Sequence, residues 1–213
     1  MFQINLKEAE KKLSQFQAEF KEINSRLSMK REHFTDEMLE NILLAYSHLN
    51  HLIAADIPLF SPGGLHSMLE INHLVLCGDN PATRLEYHRH IMETRNKFYQ
   101  NLEYVRNWIY KKASKKHPFK FAAGFYCRAL SFPQLFIESN HRSLNILINY
   151  LLLSRGKPPF IIDSRTAFEY FEISAKIKFI IKNKLLYKIN LGLLENEFTL
   201  FLKNTRDESC IKK

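Results

Sequence analysis

Residues 134–162 read QLFIESNHRSLNILINYLLLSRGKPPFII. From Ser143 to Ser154 the stretch carries Leu144, Ile146, Leu147, Ile148, Leu151, Leu152 and Leu153, so apolar side chains cover most of a helix's circumference and not one stripe of it. A helix that is apolar nearly all round belongs at the centre of a fold. Gly156 ends it and Pro158-Pro159 prevents its continuation. The helix before it starts at Pro118 and runs through Phe121, Phe125 and Leu130; it stops by Ser131, because Pro133 disfavours helix in the residue ahead of it. Residues 134–142 are then a compact polar interruption between two strongly apolar helices.

Towards the start of the chain, Leu6, Ala9, Leu13, Phe16, Phe20, Ile23 and Leu27 recur at alternating steps of three and four. This heptad stripe predicts one amphipathic helix over residues 3–30, either a coiled-coil strand of a homodimer or a helix laid on its own domain. Thr35 is a candidate N-cap for a second helix that ends near Ala55, with Met38, Ile42, Leu43, Tyr46, Leu49 and Ile53 inward. Ser-Pro-Gly-Gly at 61–64 marks a loop, and a short helix from about Leu65 stops at Gly78. Pro81 opens a helical stretch to about Lys115, with a break expected near Thr94. Two or three further helices follow Thr166, before a polar end.

The composition agrees with this pattern. The 213 residues are 46% hydrophobic and 25% charged with only 6 Gly and 7 Pro, few for a loop-rich β fold. The expected class is all-α: an amphipathic helix over 1–34, a helical domain over 35–205 and a flexible tail over 206–213. The formal charge is +9, which permits nucleic-acid, membrane-surface or phosphate-bearing partners without choosing among them. Cys77, Cys127 and Cys210 show no paired spacing and are expected as reduced thiols. No segment approaches 18 uncharged apolar residues, and residues 1–11 lack a secretory pattern, so the expectation is a cytoplasmic protein, a secreted bacterial effector being the other compartment considered.

The polar loop carries the chemistry. Free N–H groups and the dipole at the start of a buried helix favour an anion. Asn140, Arg142, Ser139 and Ser143 can add donors, and Glu138 places one carboxylate beside them. A phosphate held by these donors, with Mg²⁺ bridging it to Glu138, would use the set. The plain alternative is structural: Asn140 caps the helix and Glu138 pairs with Arg142.

This stretch resembles the signature region of the Fic family, the Fic/Doc fold of nucleotidyltransferases, whose motif runs His-x-Phe-x-Asp/Glu-Gly-Asn-Gly-Arg with a second Arg three residues later, an apolar helix and a Gly-x-Pro-Pro stop. Phe136, Glu138, Asn140, Arg142, Gly156 and Pro158-Pro159 match in register. The resemblance covers about Leu65 to Ile180 and leaves the heptad helix outside. It implies a Fic-like helical domain that transfers AMP from ATP to a protein hydroxyl, with Phe136 in the core, Glu138 on Mg²⁺, and Asn140 and Arg142 on phosphate. The departures are specific. The motif His, which serves as base, falls on Gln134, whose amide cannot take the proton; loss of a general base costs about 10² to 10⁴ in rate. Ser139 and His141 replace the two motif glycines, and Asn145 replaces the second Arg. His141 is the nearest substitute base. Ser67 to Asn72 is similar to the inhibitory helix of many Fic proteins, with Glu70 as the candidate inhibitory residue, although its Arg partner is absent.

His48 with His51, and His88 with His90, lack a further ligand at metal-site spacing and read as ordinary histidines. The run Lys111 to His117 following Tyr104, Trp108 and Tyr110 is the best nucleic-acid candidate, though Trp108 reads as core. Lys176, Lys178, Lys182, Lys184 and Lys188 could meet an anionic membrane. The leading expectation is a Fic-type transferase or a degenerate relative that still binds ATP. The competing one is a non-catalytic protein that binds a protein, nucleic acid or anionic surface.

Overall fold

Fourteen residues without a break in the helical ladder, Asn140–Leu153, form the central helix, with Ile146, Leu147, Ile148, Leu152 and Leu153 at most 1% exposed. The computed structural model describes residues 2–112, 117–182 and 186–212. The architecture is all-α. In chain order the elements are β1 (Gln3–Ile4), α1 (Leu6–Arg26), α2 (Asp36–Ala54), α3 (Pro62–Cys77), α4 (Pro81–Glu86), α5 (His88–Lys112), α6 (Pro118–Leu130), α7 (Asn140–Leu153), α8 (Ala167–Lys178), α9 (Tyr187–Thr205) and β2 (Ile211–Lys212).

Two helices are buried on nearly every side. α7 is one; α6, through Phe121, Ala122, Ala123, Phe125, Tyr126 and Cys127, is the other. They pack on each other, with α2 and α3 against α7 and α5, α8 and α9 against α6. α1 closes the gap between α2 and α8. Its stripe of Ala9, Leu13, Phe16, Phe20 and Ile23 is buried in the same core as α6 and α7, which removes the apolar seam that a coiled-coil homodimer would need on this helix. Residues 1–34 are therefore a packed part of one core and not an appendage to a separate domain.

The expected caps and stops are found at Thr35, whose hydroxyl accepts from Met38 N–H at 3.2 Å, and at Gly78 and Gly156, both at φ 66°. Several boundaries differ. α1 ends at Arg26 because Leu27 is extended, and residues 27–35 then cross to α2. The break in the long stretch falls at Tyr87, between α4 and α5, while Thr94 lies buried inside α5. α7 begins three residues early, because Ser139 takes a left-handed conformation (φ 56°) and turns the chain straight into the helix. The end of the chain is tied down where a flexible tail was expected. Ile211 and Lys212 pair antiparallel with Ile4 and Gln3, Cys210 is fully buried, and Asp207 forms an ion pair with Lys12. The reason is hydrogen bonding: Asn5 N–H donates to Cys210 C=O and Asp207 N–H to Pro159 C=O, both under 3 Å.

Trp108 belongs to the core edge, stacked on Phe121 with ring centroids 5.3 Å apart. Of the two basic clusters, residues 113–116 and Lys184 lie outside the described residues. Among those described, no helix is long and apolar enough to cross a membrane.

Extended segments that run through the interior need partners for their backbone. Asn149, fully buried on α7, accepts from Phe160 N–H and donates to Phe160 C=O, each at 2.8 Å. Replacing it by leucine of similar size would orphan both groups, at about 1–3 kcal/mol each. We expect Asn149→Leu to lose about 2–5 kcal/mol in urea unfolding; a loss below 1 kcal/mol would contradict this assignment.

Candidate functional site

The start of α7 opens into a cavity of about 440 Å³, within the range of small-molecule sites (roughly 300–1,000 Å³). Its walls come from α1, the crossing segment 27–34, α2, the loop before α7, the first turns of α7, and α8. Phe16, Phe20, Phe34, Ile42, Ile146, Ile162 and Phe171 form much of its apolar lining, with Tyr46, Asn145 and Tyr170 as polar residues among them. The remaining lining includes four cations, Lys30, Arg31, Arg142 and Lys178, and two carboxylates, Glu32 and Glu138.

Six of the residues singled out from sequence line this one cavity: Gln134, Glu138, Ser139, Asn140, His141 and Arg142. Their atoms are not equally available. Asn140 is 5% exposed, and its amide closes the loop on itself, accepting from Phe136 N–H at 3.0 Å and donating to Phe136 C=O at 2.9 Å. A phosphate-gripping role for Asn140 is corrected by that engagement. Ser143 is fully buried and accepts from Asn72 at 3.0 Å, away from the cavity. Glu70 also stands elsewhere: its carboxylate holds Arg84 at 2.7 Å beside His73, so it does not act on the site as an inhibitory group. Phe136 packs as expected, stacked on Phe98 at 5.6 Å.

Neither candidate base can work as one in this arrangement. Gln134 donates to Leu130 C=O at 3.1 Å and accepts from Asn140. His141 Nε2 lies 3.2 Å from Arg31 Nη1, which can only donate, so Nε2 is the acceptor and the ring proton sits on Nδ1, towards Tyr126 Oη. Burial, then the cations Arg31, Lys178 and Arg142, push the His141 pKa down to about 3. The imidazole is neutral and its lone pair is spent on a guanidinium.

What remains available is cationic. Ser139 provides no side-chain cap, and the first intrahelical bond runs from Ser143 N–H to Ser139 C=O, so the N–H groups of Asn140, His141 and Arg142 are not consumed by the helix. Arg142, 21% exposed in its side chain, donates to Ser139 Oγ and to Glu32, both at 3.1 Å. Glu32 is 69% exposed, so this ion pair is worth at most about 1 kcal/mol. Glu138 is exposed at the edge. Behind the loop, buried Lys182 donates to Ser131 C=O at 2.8 Å and to Pro133 C=O, with burial lowering its pKa to about 7.

Sequence reasoning missed Arg31 as a site residue and noted Asn145 only as the residue in place of the second motif Arg. Arg31 donates to Phe171 C=O at 3.2 Å and lies over the Phe171 ring at 5.2 Å. Its Nε–H is buried without a partner; Asn145 Nδ2, whose residue is 6% exposed, has no well-formed hydrogen bond, although the amide acts on the Tyr170 hydroxyl. Both unsatisfied atoms are donors. No periodic or motif signal marks Arg31, which reaches the site only because residues 27–34 cross it.

Among the described residues no three His, Cys, Asp or Glu side chains gather into a metal site. The buried histidine generates a pH prediction. Unfolded histidine titrates near ~6.5, above the folded value of about 3, so the unfolded chain takes up the proton first. Stability is full above about pH 6.5 and falls as pH drops towards about 3. Between pH 7 and 5 the wild type should lose on the order of 2 kcal/mol more than His141→Gln in urea unfolding; equal losses would place His141 outside this linkage. Comparison with protein-family models, characterised proteins and solved structures gives no match for the chain.

Proposed function

We propose that the protein binds a phosphorylated nucleotide in this cavity and does not transfer it, as a degenerate relative of Fic-type nucleotidyltransferases would. One observation carries the reading: every unsatisfied buried polar atom of the cavity wall is a donor, on a wall with two more cations than carboxylates. Buried donors are left unpaired at a cost of about 1–3 kcal/mol each, and an anion bearing acceptor oxygens relieves it. The phosphate end fits Arg142 and the free first-turn N–H groups of α7. The apolar end fits the phenylalanine-lined interior, where a nucleobase can stack on an aromatic face.

Glu138 would hold Mg²⁺ against the phosphates, since this ion takes one or two carboxylates with the remainder from phosphate and water. Charge neutralisation of the phosphates is the chemistry it would supply. Transfer to a protein hydroxyl needs a proton acceptor, and Gln134 and His141 offer none. ATP is the expected ligand on the motif resemblance. The second reading, a protein-binding scaffold, is favoured by α9, whose exposed face carries Ile189, Leu193 and Leu200, with Leu186 just ahead of its first turn, each at least 59% exposed.

Calorimetry with ATP and Mg²⁺ should give saturable heat that Arg142→Ala abolishes, with no labelled AMP passing to any protein in a lysate. Glu32→Gln frees Arg142 and should tighten ATP binding by up to about fivefold. Absence of heat with the wild type would sink the nucleotide reading and leave the α9 face as the working surface.

A further inference from the structure

Arg31 is a costly residue to place where it stands. Its guanidinium is half-buried, and burial is the largest influence on it, acting against its charge. Among the described residues no carboxylate lies within ion-pair distance of it. Glu172 is the one carboxylate that acts on it at longer range, and both Glu172 oxygens are already taken by Ser28, through its N–H and its hydroxyl, each at 2.8 Å. An arginine does not escape such a position by losing its proton. A half-buried cation with no carboxylate in contact keeps its charge at some cost in stability.

The placement is also tightly built. Asn24 of α1 holds the Arg31 backbone from both sides, accepting from its N–H at 2.8 Å and donating to its C=O at 3.0 Å. The side chain is fixed at its tip by His141 Nε2 and Phe171 C=O, each 3.2 Å away, and by the Phe171 ring beneath. One edge, Nε–H, is left with nothing to bond. Asn145 is restrained in the same manner: its Oδ1 accepts from Tyr46 at 3.1 Å, while Nδ2, turned to the Tyr170 hydroxyl, makes no well-formed bond. Rotamers held in advance cost no further ordering when a ligand arrives. Arg142 lines the same cavity, and both guanidiniums act on the His141 imidazole.

We propose that Arg31 and Arg142 form a two-arginine clamp for adjacent phosphates, with Asn145 as an added donor, so that the site selects a nucleoside di- or triphosphate over a monophosphate. This rests on the nucleotide reading above and adds the ligand class and its selecting residue. A single phosphate satisfies Arg142 and the helix N–H groups and leaves Arg31 as it was. A second, bonded to the first, brings acceptor oxygens to the guanidinium edge that has no other use. The crossing segment 27–34 thereby becomes part of the binding site and not only a connection between α1 and α2.

The test is calorimetry on the full chain with four probes: ADP, AMP, inorganic pyrophosphate and orthophosphate. The wild type should bind ADP at least tenfold tighter than AMP, and pyrophosphate at least tenfold tighter than orthophosphate. Arg31→Gln should bring both ratios to within about twofold while AMP affinity moves less than threefold, with thermal stability kept or raised because an unpaired cation has gone. Arg31→Lys, which keeps the charge and loses the planar donor fork, should show intermediate ratios; if the glutamine variant fails to fold, this variant decides. ADP binding with no preference over AMP, or a preference that survives Arg31→Gln, would overturn the clamp while leaving the nucleotide reading intact. Failure of all four probes would overturn both.

Discussion

Buried backbone must be paired, and in this protein asparagine does part of that pairing outside the helices. Asn24 closes both backbone groups of Arg31, Asn140 those of Phe136 and Asn149 those of Phe160; Asn50 does the same for Ile4, accepting from its N–H at 2.7 Å and donating to its C=O at 2.9 Å. A carboxamide carries one donor face and one acceptor on a single short arm, so it can replace a neighbouring strand for one residue. Helices satisfy themselves. The segments between them run through the interior at 136 and 160, where without these clasps each would leave two orphaned groups, and over the cavity at 31. The cavity is a consequence: its outer wall is the segment pinned by Asn24, and its loop is the one closed by Asn140.

Once those segments are fixed, electrostatics decides what the cavity can hold. α7 is buried from Ser143 to Leu153, and its first turn lines the cavity. Arg142 sits in the first turn of α7, Arg31 comes from a segment more than a hundred residues away in sequence, and His141, neutral, accepts from Arg31 and feels both charges. The histidine that sequence alone offers as a base is instead the support on which an arginine rests. On the nucleotide-binding reading proposed above, an arrangement that spends its imidazole and its amides on geometry holds charge with its guanidiniums and moves no proton.

The helical frame was legible because its signals are local. All-round hydrophobicity marks α7, the three-and-four spacing marks α1, Thr35 caps α2, and Gly78 and Gly156 stop α3 and α7. The clustering of Gln134 to Arg142 around one hollow was also legible, since a short loop entering a buried helix keeps its residues together. Side-chain direction was not. Whether Asn140 points at a ligand or back at Phe136, and whether Ser143 faces the cavity or Asn72, depends on a left-handed Ser139 that shifts the helix start by three residues. The order of residues 206–212 was hidden for a related reason: a polar composition says nothing about a strand partner two hundred residues away. Arg31 was beyond reach altogether, as its role exists only through tertiary crossing.

The central claim is that the start of α7 is an anion site. A crystal structure of the protein grown with ADP and Mg²⁺ tests it most directly. The account predicts a phosphate within hydrogen-bond distance of the Arg142 guanidinium and the first-turn N–H groups, with Glu32 displaced. Nucleotide density on another face, beside a cavity still closed by the Glu32–Arg142 pair, would contradict it.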